Sequence, residues 1–162
     1  MKSIFTLRGF VIAELYGADG RLKWRDAGEN LIVDQGIEFI MDTALSAGTQ
    51  DSTYFIGLKD TGTVAAGDTA ASHAGWSEIT AIYSGNRPAW TEAGVSSKVI
   101  TNSGSPASFS ITGTDDVYGA FLATDNTGTS GSLIGAKDFA AAVSVINGDT
   151  LNITYQITGS SS

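Results

Sequence analysis

The sequence predicts a mainly β protein: an antiparallel β-sandwich of jelly-roll or immunoglobulin-like type, with an N-terminal β-hairpin and one α-helix. Three observations predict it. From Thr53 onward apolar positions recur with a period of two, the spacing of a half-buried strand. The runs are short and separated by turn-forming clusters such as Asn102-Ser-Gly-Ser-Pro106 and Asp125-Asn-Thr-Gly-Thr-Ser-Gly131. The composition, 42% hydrophobic with 20 Gly and many Ser and Thr, supplies a core, strand positions and corners together.

The elements follow in order. Phe10–Tyr16 alternates as a strand, Ala18-Asp19-Gly20 reads as a tight turn, and Arg21–Arg25 returns. Leu22 and Trp24 share one face of the return strand; Arg21, Lys23 and Arg25 share the other. A helix is expected next, with Asp34 as N-cap and Gly48 as stop. Its stripe of Val33, Ile37, Ile40, Met41, Ala44 and Leu45 is expected to pack on the sheet. Strands are expected at Thr53–Lys59, Trp76–Tyr83, Ser97–Asn102, Ala107–Thr112, Asp116–Thr124 and Thr150–Thr158. Ser132–Val145 reads as one or two strands or a short Ala-rich helix. Gly-Asp-Thr occurs at Gly67–Thr69 and Gly148–Thr150 with unlike flanks, the pattern of two turns with the same chemistry. The organisation expected is an arm at 1–27, a helix-plus-sandwich domain at 28–158 and a mobile tail at 159–162.

Charge narrows the partners. Charged residues are 16%, below the usual quarter or so, and the net charge is −8. Residues 1–25 hold five of the nine basic residues and two of the 17 acidic ones, so the rest of the chain is strongly acidic. An acidic body disfavours nucleic acid, which needs clustered Lys and Arg. No apolar run approaches the length of a membrane span, and Met1-Lys2-Ser3-Ile4-Phe5 lacks the apolar run of a signal peptide. With no Cys there is neither a disulfide framework nor a thiolate ligand.

No motif carries chemistry. His73 is the only histidine; Asp68 and Ser72 lie close to it in sequence without forming a recognised motif. The adjacent Asp115 and Asp116 point to opposite sides of a strand and cannot face each other across a cleft. The Asp125–Gly128 loop lacks the further acidic ligands of a calcium loop. No cofactor, metal or catalytic residue is assigned. The rings of Trp76, Tyr83 and Trp90 suggest a carbohydrate-binding module as an alternative, although core packing is the simpler role for them. Arg87-Pro88-Ala89-Trp90 reads as a rigid turn whose Arg stacks on or pairs with a neighbour.

Gly28-Glu-Asn-Leu-Ile-Val33, Tyr54-Phe-Ile-Gly-Leu58, Gly67–Glu78, Tyr83 with Arg87-Pro88, Tyr118–Leu122 and Gly148–Tyr155 occur in that order. Across them the chain resembles small virion structural proteins of tailed bacteriophages, of the head decoration (capsid cement) type. The resemblance implies oligomeric sandwich domains, dimers or trimers, bound to the major capsid protein on the capsid exterior after synthesis in the bacterial cytoplasm. A tail or neck component is the alternative within the virion. The residues expected to meet the partner are Arg8, Arg21, Lys23, Trp24 and Arg25 on the hairpin, with Arg87 and Trp90.

Overall fold

The computed structural model describes residues 4–161; Met1–Ser3 and Ser162 lie outside them. The described residues form nine strands and one helix: β1 (Phe5–Tyr16), β2 (Leu22–Ile32), α1 (Asp34–Leu45), β3 (Phe55–Lys59), β4 (Glu78–Ile79), β5 (Val99–Thr101), β6 (Ala107–Ser110), β7 (Asp115–Ala123), β8 (Leu133–Val145) and β9 (Thr150–Ser161). The strands run antiparallel in the order β4-β3-β7-β8-β2-β1-β9-β5, and β6 also pairs with β9. The sheet curls into a half-barrel, so its two halves face each other over one core. On one side stand Val11, Ala13 and Leu15 of β1 beside Tyr155, Ile153 and Leu151 of β9. On the other stand Ile56 and Leu58 of β3 with Val117, Ala120 and Leu122 of β7.

The mainly β fold, the hairpin and the single helix are present as the sequence predicts. The hairpin turn closes by Gly20 N–H donating to Gly17 O at 2.8 Å and Arg21 N–H to Asp19 Oδ1 at 3.0 Å. The hairpin is part of the sheet, however, rather than an arm. β1 pairs with β9 along its whole length, and the expected boundary at residue 27 falls inside β2. The expected tail is strand for Gly159–Ser161, which pairs with Phe5–Leu7.

Two turns share one chemistry. In Gly67–Thr69 the Asp68 carboxylate accepts the N–H of Ala65 (2.8 Å), and in Gly148–Thr150 that of Asp149 accepts the N–H of Ile146 (3.1 Å). Trp76–Tyr83 departs from expectation: only Glu78–Ile79 is strand, and Trp76 and Tyr83 are both buried. The ambiguous stretch is one strand, β8, whose register with β7 jumps between Val143 and Asp138. The excursion leaves Ala140–Ala142 exposed and turns Phe139 inward against Trp24, ring centroids 5.2 Å apart.

The helix also differs in detail. Val33, extended, is the N-cap without a side-chain bond, and Asp34 is the first helical residue. The chain enters α1 directly from β2, and Asp34 N–H is taken by Ala66 O at 2.9 Å. Gly36 lies buried against β8, while Phe39 and Ile40 face the core; Ile37, Met41 and Leu45, expected to pack on the sheet, point outward.

β2 serves both halves of the sheet. It pairs with β1 from Tyr16↔Leu22 to Gly9↔Asn30, then with β8 at Leu31↔Ala136 and Ile32↔Gly135. At this corner the Asn30 side chain fills the space that a Cβ on Gly9 would need, a Cβ on Gly135 would meet Leu31 O and Tyr155 Oη, and Asn30 Nδ2 donates to Tyr155 Oη. Where β2 and β8 diverge, Lys137 Nζ meets Asp26 Oδ2 at 3.0 Å, beside the Trp24–Phe139 contact.

A Cβ on Gly36 would collide with the carbonyl of Ile134. Helix propensity alone favours Gly36→Ala by about 1 kcal/mol, but the collision opposes it by ~1–3 kcal/mol. The expected outcome is a lower denaturant midpoint with an unchanged slope. A higher midpoint would show that α1 does not press on β8. Alkaline pH gives a second test. Burial, aided by Glu78, pushes the Tyr83 phenol up to about 12, and burial pushes Tyr155 higher still against the hydrogen bond from Asn30. The unfolded chain releases these protons from about pH 10 while the folded chain holds them, so stability is full below pH 10 and falls above it, by about 1.4 kcal/mol per pH unit for each phenol. Tyr83→Phe should flatten part of that fall in denaturation series between pH 8 and 11.5.

Candidate interaction surface

The cations picked out by sequence are spoken for within the chain. Arg8 pairs with Glu29 (3.5 Å), Arg21 with Asp19 (3.7 Å) and Arg25 with Glu14 (3.4 Å), all at the surface. Lys23 Nζ lies 2.7 Å from Asp149 Oδ2, so it neutralises the buried carboxylate of the second Gly-Asp-Thr turn. Trp24 is half-buried on Phe139. The outward face of the hairpin is thus a mosaic of paired charges rather than a cationic surface.

Arg87 and Trp90 are interior. The Arg87 guanidinium grips Glu78 through two bonds (Nε–Oε1 2.7 Å, Nη2–Oε2 2.6 Å). It also donates to Asp125 O and Gly128 O, both at 2.8 Å, which fixes the 125–131 loop. It lies 5.0 Å over the Phe121 ring. Trp90 Nε1 donates to Tyr155 O at 2.9 Å, and its ring stands edge-on to Tyr54 and Tyr155. With Trp76, Tyr83 and Trp90 all buried, those three rings form no exposed platform.

The side chains near His73 do not assemble into a relay. Asp68 Oδ2 receives the indole N–H of Trp76 at 2.9 Å, while His73 stacks on that indole at 4.0 Å and its Nδ1 lies 2.9 Å from Trp76 O. Lys59 is fully buried over the other part of this cluster. Its Nζ meets Asp138 Oδ1 and Gly62 O, each at 2.7 Å, and stands 5.8 Å from the Trp76 ring centroid. These groups bind one another; they brace the 60–76 loop against β8.

The surface that sequence reasoning missed is apolar. Phe5 (71% exposed), Met41 (54%) and Val95 (72%) form an apolar edge with Ile37: Phe5 lines one hollow with Val95 and another with Ile37 and Met41. Phe5, Leu7, Ile37, Ile40 and Met41 line a groove of about 290 Å³ between β1 and α1. An adjoining depression of about 270 Å³ is lined by Leu7 and Ile40 again and reaches Trp90, Ile100 and Ile157. The helical stripe was visible in the sequence, but nothing local indicates which half of it the sheet covers. No family model, curated protein or solved structure matches the chain.

Arg87→Ala strands the Glu78 carboxylate and frees the 125–131 loop, so it should cost about 3–5 kcal/mol in denaturation. Arg21→Ala should leave the denaturation midpoint nearly unchanged. Equal midpoints for Arg87→Ala and the parent would mean that Arg87 is not the brace described.

Proposed function

We propose that this protein is a structural component of a tailed-bacteriophage virion, a decoration protein that binds the major capsid protein on the outside of the head as a homo-oligomer and stabilises it. The observation that carries the docking role is the apolar edge at Phe5, Ile37, Met41 and Val95, exposed in the single chain on a body with few charges. Contiguous exposed apolar surface marks a site of association, and uncharged Ser, Thr and Gly surface around it is less costly to desolvate than Lys and Glu. The resemblance in the sequence supplies the virion setting. The ion pairs of the hairpin favour docking through the apolar edge over docking through Arg21, Lys23 and Arg25. The carbohydrate-binding alternative loses its three rings to the core.

The test is location and copy number in intact particles, read by labelling and electron microscopy. Many copies spread over the head are expected; a single ring at one vertex would move the protein to the neck or tail, and absence from particles would remove the virion role. Arg21→Ala with Arg25→Ala should leave head occupancy unchanged. Lost occupancy in that variant would return docking to the hairpin.

A further inference from the structure

We infer that the groove between β1 and α1 receives an extended segment of another protein, apolar and bearing Lys or Arg, which adds as a strand beside Phe5–Arg8. This rests on the docking reading above and specifies its partner.

The strand register comes first. β1 pairs with β9 from Phe5↔Ser161 to Tyr16↔Thr150, but with β2 only from Gly9 onward. Beyond Asn30, β2 has crossed to β8, so no described strand pairs with Phe5–Arg8 on that edge. Such a row of backbone N–H and C=O groups is a template for one more extended chain.

Beside this edge lies the groove of Phe5, Leu7, Ile37, Ile40 and Met41. An added strand would send alternate side chains into it, and these must be apolar. The adjoining depression toward Trp90 and Ile100 continues it.

Charge selects the rest of the segment. Seven of the eight described Lys and Arg residues pair with carboxylates of this chain. Those pairs engage seven of the 17 acidic residues; ten have no Lys or Arg partner among the described residues. Glu38 and Asp42 are two of the ten, interleaved with Ile37 and Met41 on the exposed face of α1, and Glu92 borders the second depression. The remaining cation, Lys98, lies on the far side of Phe5. A basic, apolar strand suits this edge. At this edge a second copy, with one unpaired cation among its described residues and the same excess of carboxylates, would meet like charge, which leaves self-association to other faces.

The probe is a capped peptide of alternating Val and Lys, titrated into the isotope-labelled full chain and followed by amide NMR and hydrogen exchange. Amides of Phe5–Arg8 should shift and gain exchange protection. Ile37→Ser with Met41→Ser, and separately Glu38→Lys with Asp42→Lys, should each weaken binding by roughly tenfold or more. These positions are exposed, and unchanged circular dichroism would verify folding. Equal binding by a Val–Glu or a Gly–Lys peptide would overturn the proposal, as would shifts that avoid Phe5–Arg8. A concentration-dependent dimer abolished by Ile37→Ser with Met41→Ser would overturn it by assigning the groove to a second copy. Particle occupancy separates the two readings: full occupancy by that variant removes this groove but keeps the virion role, whereas peptide binding by a protein absent from particles does the reverse.

Discussion

The fold depends on one strand changing partners. β2 cannot stay with β1 and also close the sheet onto β8, so it divides its length between them, and Asn30 marks the division. Two glycines make the corner possible. Gly9 leaves the volume that the Asn30 side chain occupies, Gly135 lets Leu31 O and the Tyr155 phenol come close, and the Asn30 amide reaches that buried phenol. A larger residue at either glycine would push the two halves apart and open the core they share.

The same crossing creates both polar and apolar consequences. On one side of the corner β2 and β8 diverge, and their gap is filled by the Lys137–Asp26 pair and the Trp24–Phe139 contact. On the other side β1 outruns β2, which exposes the backbone edge at Phe5–Arg8 next to the outward stripe of α1. The groove between β1 and α1 is therefore a by-product of topology, not a separate module. A sheet that closes by sharing one strand must leave an edge open where that strand departs.

Charge is arranged by a similar economy. The few cations are placed on carboxylates that folding would otherwise strand: Lys23 on the buried Asp149 turn, Arg87 on Glu78, and Lys137 on Asp26. Leaving any of these carboxylates unpaired would carry a large desolvation penalty. Apart from the buried Asp68, which accepts the Trp76 indole and Ala65 N–H groups, the acidic excess that remains lies at least partly at the surface and sets the sign of the field there. A face that looks cationic along one strand thus becomes neutral once its neighbours in space are present.

The sequence by itself determined the mainly β class, the hairpin turn, the helix span and the chemistry of the two Gly-Asp-Thr turns. Each rests on contacts within a few residues or on a periodicity that burial imposes. It also determined the excess of acid, which no folding can change. Only the tertiary structure decided that the hairpin is part of the sheet, that Gly159–Ser161 is strand, and that Arg87 and Trp90 are interior. It likewise decided which half of the α1 stripe is exposed. Those outcomes hang on partners far away in sequence, such as Arg87 with Asp125, Trp90 with Tyr155 and Lys23 with Asp149. A side chain's residue type states what it can bond to, but long-range pairing decides whether that bond is made inside the chain or left for another protein.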